Sequence, residues 1–120
     1  MATPEKNNHI DYIEFPAPSE ESLRATKQFY GTVFGWEYKD WAPSYSDTSG
    51  SGLASGINSD PGQRPPAPMV VLYSAALEET RDKVKAAGGQ IVKDIFPFPG
   101  GRRFEYQDPA GNQLGVWSDK

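Results

Sequence analysis

The sequence predicts an α+β fold of two βαβββ modules, their strands forming a curved mixed sheet around a cleft. Three observations lead there. Apolar periodicity alternates between the two-residue spacing of strands and the helical spacing of two separate segments. A proline-dense stretch, Pro61–Pro68, divides the chain near its middle. The halves also repeat: Leu23 matches Leu77, Thr26 matches Thr80 and Gly35 matches Gly89. A module with one helix on one face of its strands leaves the other face bare, so two such modules are expected to bring their bare faces together.

The boundaries are a mobile polar arm over Met1–Asn8, a first module over 9–60, a linker over 61–68 and a second module over 69–120. Ile10–Phe15 alternates as a strand, with Ile13 and Phe15 on one face and Tyr12 and Glu14 on the other; Pro16 and Pro18 should end its pairing. Ser19 is placed to cap a helix reaching Phe34, with Glu20 and Glu21 at its positive end. Its inner stripe reads Leu23, Thr26, Phe29 or Tyr30, and Val33, and Gly35 closes it in a left-handed conformation. Trp36-Glu37-Tyr38 leaves as a strand, followed by two short strands near Tyr45 and over Leu53–Ile57.

Met69–Tyr73 is a near-continuous apolar strand. Ser74 is expected to cap a second helix with Leu77, Thr80, Val84 and Ala87 inward, which Gly88-Gly89 stops. Glu79 and Lys83, four apart, mark its solvated face. Gln90–Ile95 is a strand and Phe96–Gly100 a stiff aromatic loop. The chain ends in a hairpin: Phe104 and Tyr106 alternate on one strand, Asp108-Pro109-Ala110-Gly111-Asn112 turns, and Leu114 and Val116 alternate with Gly115 and Trp117 on the other.

Composition narrows the chemistry. The chain has 120 residues, enough for one core without covalent staples. It has no cysteine, which excludes disulfides, thiolate metal sites and thiol catalysis and fits a cytoplasmic location. A net charge of −4 argues against nucleic acid as a partner, and no apolar run approaches the ~20 residues of a membrane-spanning helix. His9 is the only histidine, and a solvent-facing or hydrogen-bonded role suits it better than metal ligation or acid–base work.

Phe29-Tyr30 followed by Phe34-Gly35-Trp36, the paired glycines after the second helix, and Asp108–Asn112 before the last strand together resemble the vicinal oxygen chelate superfamily. That family includes glyoxalase I, bleomycin-resistance proteins and extradiol dioxygenases, and the resemblance spans His9 to Lys120, closest to small glyoxalase-like proteins. It implies modules that often complete their clefts in homodimers. It also implies a divalent metal held from the first and last strands of each module. The family's ligand positions fall on Tyr12, Met69 and Gly115, with at best Ser55 at the fourth. None is a good ligand for a hard metal, because glycine has no side chain, a thioether is soft and a lone phenol rarely binds Zn, Mg or Mn. No metal or other cofactor is therefore expected.

What the resemblance leaves is a small-molecule pocket with an aromatic lining. Tyr12, Tyr73 and Trp117 share its inward face, with Phe98 and Tyr106 near the rim, although aromatic residues at strand spacing also serve as core. Glu14 on that face would be partly desolvated, which suits a base or a partner for a cationic ligand, or it pairs structurally with Arg102 or Arg103. Arg103 could instead clamp an anionic group. The expected function is metal-free binding of a small, partly aromatic molecule. The alternatives are a glyoxalase-like lyase or isomerase, with Glu14 as base or a metal on Glu14 and His9, and an interaction module whose cleft is packed shut.

Overall fold

A computed structural model describes residues 6–120. Its elements are β1 (Ile10–Pro16), α1 (Glu20–Phe34), β2 (Glu37–Ala42), β3 (Tyr45–Ser49), β4 (Ser55–Asn58), β5 (Met69–Tyr73), α2 (Leu77–Ala86), β6 (Gln90–Phe98), β7 (Gly101–Gln107) and β8 (Gln113–Ser118). The fold is α+β and runs twice through the order βαβββ. Two compact units emerge, residues 12–69 and residues up to Asp11 together with 70–120. Most of the expected arm, Met1–Glu5, lies outside the described residues. Of the rest, Asn8 N–H donates to the Tyr73 carbonyl at 2.8 Å and Asn7 Oδ1 accepts from Ala75 N–H. No helix among the described residues is long and apolar enough to cross a membrane.

In the first unit β3 runs antiparallel to both β2 and β4, and β4 pairs parallel with β1 through Ile13–Ser55, Glu14–Gly56 and Phe15–Ile57. The second unit repeats this plan. There β7 runs antiparallel to both β6 and β8, and β8 pairs parallel with β5 through Val71–Gly115 and Tyr73–Trp117. Parallel neighbours need a crossover, which explains why each helix sits between the first and last strands of its repeat in sequence.

The helices form where their ends are chemically marked. Ser19 adopts extended backbone and its hydroxyl accepts from Ser22 N–H at 3.0 Å, so it is the cap expected of it. Gly35 closes α1 at φ 75°, where a side chain would be strained. Leu23 packs with Ala17 and Ile57 over the strands, joined by Phe15 and Tyr38. The inner stripe holds at Leu23, Thr26 and Tyr30, whose ring lies 6.4 Å from that of Phe15, and departs from expectation at Val33, which is more than half exposed, as is Phe29, the alternative to Tyr30. For α2 the cap is Ala76 rather than Ser74. Ser74 Oγ instead accepts from Ala76 N–H and bonds Thr80 Oγ1, tying the entry loop two residues earlier. Leu77, Phe104 and Val116 form the second core.

Proline ends one strand as expected and lies inside another. Pro16 closes β1 inside its pairing, opposite Asn58. The aromatic segment around Pro97 is strand, since β6 continues to Phe98 with shifted register between Lys93 and Phe96. Among the described residues of that unit β6 pairs with β7 alone, the edge position at which a strand tolerates proline.

Candidate functional site

Strand alternation sorts side chains by face. On β1 the odd residues Ile13 and Phe15 face α1, which leaves Tyr12 and Glu14 on the helix-distal face. The register carries Gly56 and Asn58 of β4, then Tyr45 and Asp47 of β3, to the same face. These residues form one hydrogen-bonded group. Tyr45 Oη donates to Glu14 Oε1 at 3.1 Å, and Asn58 Nδ2 reaches Glu14 Oε2 at 3.4 Å. The two phenol oxygens lie 2.5 Å apart, and Tyr12 Oη donates to Asp47 Oδ1 at 2.8 Å. Trp41 Nε1 completes the Asp47 shell at 2.7 Å, with the Lys39 ammonium 4.2 Å above the Trp41 ring.

Gly56 makes this arrangement possible. A Cβ there would overlap the Tyr12 oxygen and lie 2.6 Å from that of Tyr45. Burial pushes the Tyr12 phenol well above its ordinary value, assisted by Tyr45 and Asp47. Burial does the same to Tyr45, with the Glu14 charge adding to it. Glu14 is 1 % exposed, so this carboxyl is withdrawn from water among polar partners.

In the second unit the equivalent face carries Tyr73 and Val71 on β5, Gly115 and Trp117 on β8, and Arg103 and Glu105 on β7. Tyr73 and Trp117 meet edge to face with centroids 5.1 Å apart, and Phe98 lies 6.3 Å from Trp117. Tyr73 Oη donates to Asp119 at 2.5 Å, while Trp117 Nε1 reaches both oxygens of Asp11 at 3.1 and 3.2 Å. Arg103 pairs with buried Glu105 at 3.0 Å, stands over Phe96, and Gln113 donates to the other Glu105 oxygen. Arg102 turns the other way, to Glu78 of α2. The helix-distal arginine is therefore Arg103. Tyr106, expected near the rim, packs instead with Phe104 and the α2-side core.

The candidates named from the sequence thus group within each unit: Tyr12 with Glu14 in the first, and Tyr73, Trp117 and Phe98 in the second with Arg103 directly opposite Trp117. The repeat relates them. Gly56 lies between Glu14 and Asp47 as Gly115 lies between Val71 and Glu105. Tyr45, Asp47, Asn58 and Gly56 were not singled out from sequence, although Tyr45-Ser46-Asp47 carries the required alternation.

The residues at the metal positions do not fit a hard divalent ion. Tyr12 is committed to Tyr45 and Asp47, Met69 offers a buried thioether, and Gly115 offers nothing. Ser55 is on the helix side of β4, hydrogen-bonded to Thr48 and Ser51, so the helix-distal position is Gly56 rather than Ser55. His9 is exposed and engaged through its carbonyl with Tyr73 N–H. Among the described residues, no three His, Cys, Asp or Glu side chains are grouped to hold a metal.

Comparison with known proteins bears on this arrangement. A family model for the Glyoxalase/Bleomycin resistance protein/Dioxygenase superfamily matches residues 10–116. A protein named "Putative glyoxylase CFP32" in Mycobacterium bovis and Mycobacterium tuberculosis is 28% identical over 104 residues, covering 78% of this chain; the chain spans 40% of that relative's length. Among solved structures, a glyoxalase/bleomycin resistance protein/dioxygenase superfamily member from Vibrio splendidus superposes with TM-score 0.68 at 14% identity, covering 93% of this chain and 99% of its own. The Mn(II)-bound glyoxalase from Novosphingobium aromaticivorans gives TM-score 0.64 at 20% identity, covering 97% of this chain and 40% of its own.

Proposed function

The chain belongs to the glyoxalase/bleomycin resistance protein/dioxygenase superfamily, and within it we propose a protein that binds a small, partly aromatic organic molecule without a metal, on the helix-distal face of its strands. The observation that carries this reading is the sorting of residues by face. The helix sides hold the apolar cores around Leu23 and Leu77, whereas the opposite faces, beside buried Met69, Val71 and Tyr73, hold Glu14, Glu105 and Arg103 almost fully withdrawn from water. Burying charge costs more than an apolar replacement would, so stability alone does not account for such a face. Trp117, Tyr73 and Phe98 supply ring surface, and Asp11 and Asp119 orient the first two.

A screen of small aromatic acids, amines and amides by thermal shift tests the reading, because a ligand that binds the native state raises its melting temperature. A shift that Trp117→Ala removes supports it, and no shift across the screen overturns it. A second reading, an isomerase or lyase using Glu14 as base, is favoured by the enclosure of that carboxyl among Tyr45, Tyr12 and Asn58. Product formation abolished by Glu14→Gln would select it. We read the functional form as a cytoplasmic homodimer, supported by the exposed Phe29, Val33 and Phe34 on α1 and by the absence of cysteine. Sedimentation of a monomer at micromolar concentration would contradict the dimer.

A further inference from the structure

We propose that Trp117, Tyr73 and Phe98 form a subsite for an organic cation, so that the molecule bound on this face carries an ammonium group. The inference deepens the ligand reading above and rests on it. The three rings are inclined to one another and do not stack. Tyr73 meets Trp117 at 72° with centroids 5.1 Å apart, and Phe98 lies at 58° to Trp117 with centroids 6.3 Å apart. A stacked pair covers the faces it brings together, whereas inclined rings leave faces for a cation, which the π electrons attract. Trp117 and Phe98 keep part of their surface in solvent.

The polar edges of the rings point the same way. Trp117 Nε1 donates to both oxygens of Asp11, and Tyr73 Oη donates to Asp119. A carboxylate that accepts at a ring's edge pushes electron density into the ring and sets a negative charge beside its faces. Both effects favour a cation over an anion. The bond from Tyr73 holds the Asp119 carboxyl below its ordinary value, so it is charged at neutral pH. The cations of the same strands are accounted for elsewhere. Arg103, opposite Trp117, has Glu105 as counter-charge at 3.0 Å. Arg103 and Lys93 both lie over the Phe96 ring, at 5.3 and 5.4 Å, so a ring on this unit already holds cations that the chain itself supplies.

Asp119 is exposed, yet its place is fixed by the backbone around it. Gly101 has φ 152°, and a Cβ there would overlap the Ser118 carbonyl oxygen and stand 3.0 Å from the Asp119 Cα. Lys120 N–H donates to Ser118 Oγ at 3.2 Å, and Arg102 Nε donates to the Lys120 carbonyl at 3.0 Å. The carboxylate beside Tyr73 is thus held before any ligand arrives, which lowers the cost of binding one.

The test is ¹H–¹⁵N NMR of the full chain at neutral pH, reading the Trp117 indole N–H, assigned by its loss in Trp117→Phe. The probes are choline, its neutral carbon isostere 3,3-dimethylbutan-1-ol, benzamide and benzoate. Choline should move the signal saturably, and the isostere should bind about five- to thirtyfold more weakly, the worth of a cation over an aromatic face. Asp119→Asn keeps an oxygen to accept from Tyr73 but removes the charge, and should weaken choline several-fold. Equal binding of choline and its isostere, or choline binding undiminished in Asp119→Asn, overturns the cation subsite. A signal moved by benzamide or benzoate but not by choline also overturns it while leaving the ligand reading in place. No movement with any probe overturns both.

Discussion

Gly56 lies against the Tyr12 hydroxyl so closely that no side chain could stand between them. The relationship is reciprocal: glycine on β4 leaves the space, and two phenols of β1 and β3 fill it. Any larger residue at 56 competes for the same volume.

Gly56→Ala should therefore destabilise the chain by about 1–3 kcal/mol, the usual cost of forcing a methyl into a packed site. Tyr12→Phe removes the oxygen that the methyl meets, so the double variant should lose less than the sum of the two single ones. Denaturant unfolding of the four chains measures the coupling, and strict additivity would argue that the contact is unimportant.

Tyr12 and Tyr45 also set a dependence on alkaline pH. Their folded-state values are raised by burial, so the stability they contribute is complete below the unfolded phenol value of about 10 and is lost as pH rises above it. Unfolding midpoints between pH 8 and pH ~11 should fall more steeply in the wild type than in Tyr12→Phe/Tyr45→Phe. Equal slopes would mean that the two phenols ionise as freely folded as unfolded.

At the other end of the scale, Asp108 holds the turn between β7 and β8. Its Oδ1 accepts from Ala110 and Asn112 N–H groups, and Oδ2 accepts from the Asn112 amide. The Asn112 bonds keep its carboxyl below the usual value, so its contribution is present above about pH 4 and disappears as pH falls through the lowered folded value. Asp108→Ala should weaken the fold at pH 7 and differ little from wild type near pH 2, which a pH series of unfolding curves would measure.

Ser19→Ala removes the single side-chain acceptor at the start of α1 and should cost about 1 kcal/mol, with Ser19→Asp close to neutral. A neutral alanine would indicate that Glu20 and Glu21 alone hold the first turn.

The fold was legible because its punctuation is local. Ser19, Gly35 and the Asp108–Asn112 turn each act through bonds within a few residues, and each does in the structure what its chemistry predicts. The faces of Tyr12, Glu14 and Trp117 followed from period-two alternation. What escaped was everything that depends on register. Tyr45 and Asp47 join Glu14 only because β3 pairs with β4 at one alignment, and the weak apolar pattern of 41–60 does not specify it. The same shift of one residue separates Ser55, the expected ligand position, from Gly56, the one on the helix-distal face. Val33 misled for a different reason, and Tyr30 takes the inner place left open between it and Phe29: helical spacing identifies a stripe but not which edge of it stays uncovered.

Metal content tests the central claim most directly. Chain purified without chelator, loaded with Mn(II), Zn(II), Ni(II) or Fe(II) and dialysed, should retain no stoichiometric metal by elemental analysis, since Tyr12, Gly56, Met69 and Gly115 offer no ligand set for one. Retention of one metal ion per chain, lost on substituting Tyr12 or Glu14, would contradict the account.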